Sequence, residues 1–157
     1  MLYRLLRPDE DWQLGVSPKD PNSTKSVFGH VINGSRWGWQ SKYIATCGSL
    51  NSVLTFRSKS RNSTGQSVQI SEDNLPVFKN DLRKWSNRKN HYIHDIDSNE
   101  SINRFNNFTR KYDEVLLIGY VPNTHVQHMS ESDLYCEQLS AEVATCYNEE
   151  ESQQLSN

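Results

Sequence analysis

The sequence is poor in cysteine and in long apolar runs. Its 157 residues include only three cysteines, Cys47, Cys136 and Cys146, without C-x-x-C spacing, which indicates neither a disulfide framework nor a zinc site. No run approaches the roughly 20 apolar residues that a membrane-spanning helix needs, and the first residues lack the cationic and apolar regions of a signal peptide. We therefore expect a cytoplasmic protein with reduced thiols, no metal and no membrane contact.

The sequence also lacks an excess of either charge. Its 17 lysines and arginines nearly balance 19 acids, for a net charge of -2, so no global positive field predicts a nucleic-acid partner. Basic residues nevertheless concentrate in residues 79–91. A nucleic-acid-binding domain that uses this segment, with Trp85, His91 and Tyr92 as stacking partners for bases, therefore stays open as a hypothesis.

Aromatic residues are well represented, and they can build a core. Four Trp, seven Tyr and five Phe bury large areas in a chain whose length suits a single domain. Period-two and wholly apolar runs predict strands at residues 2–6, 43–47, 67–71, 92–96 and 115–121. Helical spacing predicts helices from a cap at Ser23 or Thr24 to Gly34, from a cap at Ser49 through 54, and at 77–85, 101–112 and 133–147. The mixture predicts a single α+β domain.

Two charged residues stand beside or inside apolar strands. Glu114 directly precedes the most apolar run of the chain, next to Asp113; it can point into a cleft or cap the solvent end of the strand. Arg4 interrupts the first predicted strand, where its guanidinium either meets a carboxylate or phosphate or points to water. Both alternatives stay open for each residue.

Cys47 lies where a predicted strand meets a predicted helix. A helix N-terminus can lower the pKa of a thiol and make it a nucleophile. No base is adjacent in the sequence, so a buried, inert thiol is the alternative.

Four segments match, in order, the motifs of a known enzyme family. They are Tyr-Arg-Leu-Leu at 3–6, His-Val-Ile-Asn-Gly-Ser-Arg at 30–36, Tyr-Ile-Ala-Thr-Cys-Gly-Ser-Leu at 43–50, and Asp-Glu-Val-Leu-Leu-Ile-Gly-Tyr-Val-Pro at 113–122. Over residues 2–125 the chain thus resembles ADP-ribosyltransferases of the Arg, Ser-Thr-Ser, Glu class. The most specific match is the last segment, a glutamate that opens an apolar strand ending in Gly-x-x-Pro.

The resemblance implies a fold and a domain division. Residues 1–128 would form an ADP-ribosyltransferase-like domain, a split β-sheet core with peripheral helices. Outside the resemblance, we expect a C-terminal helix at 129–148 and an acidic, disordered tail at 149–157.

The resemblance also implies an activity: transfer of ADP-ribose from NAD to an unknown macromolecular acceptor, protein or nucleic acid. In the family, an arginine on the first strand holds the NAD phosphates and ribose, which is the place of Arg4. Thr46 would lie near the nicotinamide ribose. Glu114 would stabilise the positive charge that develops on the sugar as the nicotinamide leaves.

Several features of the implied site stay open. Trp37, Trp39 or Tyr43 could stack on the nicotinamide. Ala45 takes the place of the family's first serine, and Tyr112 takes that of an acid or glutamine that selects the acceptor. NAD hydrolysis, another acceptor, or a binding module that has lost catalysis are therefore alternatives to arginine-directed transfer.

Overall fold

The computed structural model describes residues 1–34, 36, 38–60, 63–84, 99–136 and 139. The strands are β1 (Leu2–Leu5), β2 (Tyr43–Cys47), β3 (Ser67–Ile70), β4 (Phe78–Asp81), β5 (Glu114–Ile118) and β6 (Val126–Met129). The longer helices are α1 (Val27–Asn33), α2 (Leu50–Lys59) and α3 (Asn99–Lys111). Their mixture in one domain confirms the predicted α+β class.

The strands form one antiparallel sheet in the order β4-β5-β2-β1-β3-β6. Strand β2 pairs with β5 along its whole length, from Tyr43 opposite Ile118 to Cys47 opposite Glu114. Strand β1 pairs with β3 over four residues but meets β2 only where Tyr3 lies opposite Cys47. The sheet is therefore loosely joined between its two central strands.

Local capping explains where the first two helices begin. The Ser26 hydroxyl accepts a hydrogen bond from the Gly29 amide at 3.0 Å, so α1 starts later than the predicted cap at Ser23 or Thr24. The Ser49 hydroxyl caps α2 as predicted, accepting from the Ser52 amide at 3.3 Å. A side-chain oxygen at this position satisfies an amide that has no partner within the helix.

The prediction of a helix at 77–85 is wrong. Residues Phe78–Asp81 form the edge strand β4, which pairs with β5 and continues into a single 3-10 turn, Leu82–Lys84. Leu82 is fully buried, whereas Phe78 is 68% exposed, so the two residues do not share the buried stripe that helical spacing predicted. Trp85 and the predicted strand at 92–96 lie outside the described residues.

Apolar side chains pack on both faces of the sheet. One cluster includes Leu2, Leu6, Ile44, Val68, Val115 and Leu117. On the other face, Tyr43 and Leu116 pack with Phe105 of α3 and Val31 of α1. Glu114 alternates with Val115 along β5, so its side chain shares this helix-covered face.

The C-terminal part extends slightly beyond the predicted division. Strand β6 ends at Met129, one residue past the predicted boundary at 128, and residues 131–136 are helical. Leu134 in this turn is only 4% exposed. The remainder of the predicted helix, apart from residue 139, and the tail at 149–157 lie outside the described residues. None of the helices described is long and apolar enough to cross a membrane.

Candidate functional site

A cavity of about 330 Å³ includes in its wall all three residues that the sequence singled out, Arg4, Thr46 and Glu114. Its volume falls at the lower end of the range of about 300–1,000 Å³ that is typical of ligand pockets. Apolar residues and Gly34 also line the cavity. Its basic, polar and aromatic lining residues include Tyr3, Arg7, Lys19, His30, Arg36, Trp39, Ser41, Phe56, Phe108 and Tyr112.

The Arg4 guanidinium is buried and held by acceptors from two directions. Its Nε and Nη2 donate to Oε1 of Glu10 at 3.2 and 2.8 Å, and its Nη1 donates to the Ala45 carbonyl oxygen at 2.5 Å. The side chains of Arg4 and Glu10 are 7% and 5% exposed. Arg4 therefore does not point to water, and two of its five N–H groups remain for a ligand.

Glu10 was not predicted from the sequence. It follows β1 in an acidic, proline-containing stretch, and nothing there distinguishes it from the exposed Asp9. Its second oxygen accepts from the Arg7 amide at 2.7 Å, and Arg7 Nη1 lies 3.0 Å from Oε1. Glu10 is therefore fixed by two arginines.

The Glu114 carboxyl lies in the cavity wall and is 9% exposed. It does not cap the solvent end of β5. Burial raises its pKa to about 7, because desolvation disfavours the charged form. Among the residues that the structure describes, none donates a hydrogen bond to this carboxyl. The group is therefore available to a ligand and near half-ionised at neutral pH.

Thr46 also borders the cavity, but its side chain is already bonded within the sheet. Its hydroxyl donates to the Val115 carbonyl oxygen at 2.6 Å. Thr46 lies opposite Val115, and Cys47 lies opposite Glu114. Because successive side chains of a strand leave opposite faces, Thr46 and Glu114 approach the cavity from different faces of the sheet.

The Cys47 thiol is not an activated nucleophile. Burial, followed by the negative charges of Glu114 and Asp113, raises its pKa to about 12, and Arg4 only partly opposes this shift. A thiol is reactive as the thiolate, so the burial of Cys47 supports the alternative of an inert thiol.

The raised pKa of Cys47 predicts slow chemical modification. In a Cys136→Ser, Cys146→Ser variant, we expect Cys47 to react with a disulfide reagent at least about 100-fold more slowly in the folded protein than in urea. Stopped-flow absorbance at pH 8 measures both rates. Equal rates would show that the thiol is accessible and ionisable in the fold.

The Asp113 carboxylate, which is next to Glu114 in the sequence, is turned toward helix α2. Its Oδ2 accepts from the hydroxyls of Ser49 at 2.7 Å and Ser52 at 2.9 Å. The residue adopts a φ of 45°, a conformation that Asp and Asn tolerate better than most residues. Asp113 therefore joins the start of β5 to the N-terminus of α2.

Removing this carboxylate should destabilise the protein. We expect Asp113→Ala to lower the free energy of unfolding by about 2 kcal/mol, because two hydrogen bonds are lost. Asp113→Asn keeps an acceptor and the backbone conformation, so its loss should be smaller. Urea unfolding followed by circular dichroism compares the variants; an unchanged midpoint for Asp113→Ala would contradict this role.

His30 and Ser41 form a buried pair that sequence reasoning did not assign to the site. His30 Nδ1 lies 2.6 Å from Ser41 Oγ, and the two residues are 7% and 3% exposed. Burial, then the positive charges of Arg4 and Lys19, lowers the pKa of His30 to about 4. The imidazole is therefore neutral at physiological pH and is a weak base for activating a serine.

The aromatic candidates for stacking are placed differently from one another. Lys25 Nζ lies 4.3 Å from the centroid of the Trp39 ring, so an ammonium occupies one face of that indole. Tyr43 is buried, with its ring 5.5 Å from that of His30. Trp37 lies outside the described residues.

In the part of the chain described, no group of three or more His, Cys, Asp or Glu residues could hold a metal ion.

Comparison with known proteins finds no match among protein-family models, curated proteins or solved structures. Functional inference for this chain therefore depends on its own residues and geometry.

Proposed function

We propose that this chain is an ADP-ribosyltransferase-like protein that uses NAD as its substrate. The reaction breaks the bond between nicotinamide and ribose and joins the ribose carbon to a nucleophilic atom of a macromolecular acceptor, protein or nucleic acid. Nicotinamide leaves with the bonding electron pair, and the acceptor loses a proton.

The observation that carries this proposal is the buried Glu114 carboxyl in the cavity wall. Positive charge develops on the ribose as nicotinamide leaves, and a fixed carboxylate in a water-poor site stabilises that charge strongly. A carboxyl without a hydrogen-bond donor among the described residues retains its lone pairs for the substrate. The cationic nicotinamide ring of NAD would further favour the ionised form.

Arg4 supports the proposal as an anion-binding group. Arginine binds phosphate through its planar set of N–H donors, and two donors of Arg4 remain after its bonds to Glu10 and Ala45. The loose junction between β1 and β2, which Arg4 bridges by its bond to Ala45, also fits the split sheet that the family resemblance implies.

Thr46 has a narrower role in the proposed site. The Thr46 hydroxyl donates its hydrogen to the Val115 carbonyl oxygen, but the hydroxyl oxygen keeps two lone pairs that can accept a hydrogen bond. The family resemblance would place Thr46 near the nicotinamide ribose. Because its side chain leaves the face of the sheet opposite to that of Glu114, we assign Thr46 to the cavity wall, as a hydrogen-bond acceptor apart from the reacting ribose carbon.

A binding module that has lost catalysis is the second candidate. Ala45 has no hydroxyl, and no described residue orients Glu114 by a hydrogen bond. Such a module would bind ADP-ribose through Arg4 and leave NAD intact.

An acceptor-labelling experiment separates these functions. Purified protein is incubated with NAD labelled in its adenine ring, alone, with a protein extract, and with RNA or DNA. Label in a macromolecule indicates a transferase, label in free ADP-ribose indicates a hydrolase, and intact NAD with bound ADP-ribose indicates a binding module. Asp113→Asn is the matched control for Glu114→Gln, because the neighbouring carboxylate contacts α2.

A further inference from the structure

His30 is a buried cavity residue that the proposed chemistry does not use. Its side chain comes from α1 and lies in the wall of the same cavity as Arg4, Lys19 and Arg36. A polar side chain that is 7% exposed needs hydrogen-bond partners on both ring nitrogens or a ligand that supplies one.

Ser41 is the hydrogen-bond partner of one ring nitrogen. The Ser41 hydroxyl oxygen lies 2.6 Å from Nδ1 of His30 and also accepts from the Tyr43 amide at 3.5 Å. The hydroxyl can donate to Nδ1 or accept from it, according to the tautomer of the ring. When it donates to Nδ1 of the neutral imidazole, Nε2 carries the hydrogen, and His30 presents an uncharged N–H donor on the side away from Ser41.

Gly34 lies beside the outer edge of the ring. A Cβ atom at Gly34 would lie 3.3 Å from Nε2, so the glycine itself adds no side chain at this edge. In the described part of the chain, no oxygen accepts a hydrogen bond from Nε2. Gly34 and His30 both line the cavity, so Nε2 lies beside the space that a ligand would occupy.

We propose that His30, oriented by Ser41, binds the ligand of this cavity by donating a hydrogen bond from Nε2 to a phosphate oxygen. The inference rests on the proposed function for the identity of the ligand, the diphosphate of NAD. The positive charges of Arg4 and Lys19, which act on His30, also attract a phosphate to this position. A neutral donor complements them because it adds a directed hydrogen bond without further charge repulsion.

Two substitutions of His30 separate binding from folding. An asparagine amide reaches about as far as Nδ1, so His30→Asn can keep the contact with Ser41 but loses the outer donor. A glutamine amide reaches about as far as Nε2, so His30→Gln can keep that donor. We expect His30→Asn to weaken binding of ADP-ribose about tenfold, the value of one hydrogen bond to a charged group, and His30→Gln to weaken it less. Equal affinity of His30→Asn and the wild type would overturn the proposal.

The imidazole can also be observed directly. In the wild-type protein, nitrogen NMR should show the Nε2-protonated neutral tautomer, and adding inorganic pyrophosphate or ADP-ribose should shift the Nε2 resonance more than that of Nδ1. Absence of binding by both probes, or binding that leaves Nε2 unchanged, would overturn the proposal. If pyrophosphate shifts Nε2 but NAD is never cleaved, the inference stands and the proposed function fails.

Discussion

Replacing Glu114 with glutamine is expected to lower NAD cleavage at least about 100-fold while stabilising the protein at alkaline pH. The loss of activity follows from removing the charge that stabilises the transition state, since one such group typically contributes a factor of about 100–1,000. Wild-type activity should rise as the pH passes about 7, the pKa of Glu114, because only the ionised carboxylate carries out this role.

Although Glu114→Gln should lower activity, it should raise the free energy of unfolding, and this effect depends on pH. The pKa of Glu114 rises from 4.5 to about 7 on folding, so the folded protein holds this proton more tightly than the unfolded chain. Wild-type stability is therefore fully present below pH 4.5 and declines as the pH rises through 7. The glutamine side chain does not ionise, so it avoids the cost of burying a charge. Glu114→Gln should therefore be more stable than the wild type by about 3 kcal/mol at pH 8, since each pKa unit corresponds to about 1.4 kcal/mol.

Urea unfolding of both proteins at pH 4 and pH 8 tests the stability change. We expect similar midpoints at pH 4 and a higher midpoint for Glu114→Gln at pH 8. A variant that is less stable than the wild type at pH 8 would show that the carboxylate is stabilised by partners in the fold, which is the opposite of a site available to a ligand.

Replacing Arg4 with methionine should have the largest effect on stability. The change removes three hydrogen bonds and leaves Glu10, in a buried position, with Arg7 as its one remaining cationic partner among the described residues. Breaking a buried ion pair on one side costs about 3–5 kcal/mol, because the remaining charge is poorly compensated.

A double substitution distinguishes the lost pair from lost packing. Adding Glu10→Gln to Arg4→Met neutralises the remaining carboxylate, so the double variant should recover part of the stability that Arg4→Met loses. Urea unfolding of the wild type, both single variants and the double variant gives the interaction free energy between Arg4 and Glu10. Strict additivity of the two losses would contradict a buried, mutually dependent pair.

Elements with a strong local signal could be predicted from the sequence. The apolar run after Glu114, the alternation at Ser67–Ile70 and the cap at Ser49 each specify an element within a few residues. Strand β4 could not be predicted in this way, because its state depends on pairing with β5, which is distant in the sequence. The exposed Phe78 gave a misleading helical spacing with Leu82.

The candidate site shows the same division between local and tertiary information. The sequence predicts Arg4 and Glu114 as site residues, because a charged side chain beside or within an apolar strand needs a partner or a function. Their actual surroundings depend on the fold: Glu10 binds Arg4, Asp113 turns to α2, and register places Thr46 and Glu114 on opposite faces. None of these relations has a signature in residue spacing. His30 begins one of the segments that carry the family resemblance, but its contact with Ser41 exists only in the fold.

The most direct test of the proposed activity is release of nicotinamide from NAD at pH 8, measured for the wild type, Glu114→Gln and Asp113→Asn with protein and nucleic-acid acceptors present. We predict release by the wild type and by Asp113→Asn, and at least about 100-fold slower release by folded Glu114→Gln. Equal release by Glu114→Gln, or no release by the folded wild type with any acceptor, would contradict the proposal that Glu114 supports NAD cleavage in this cavity.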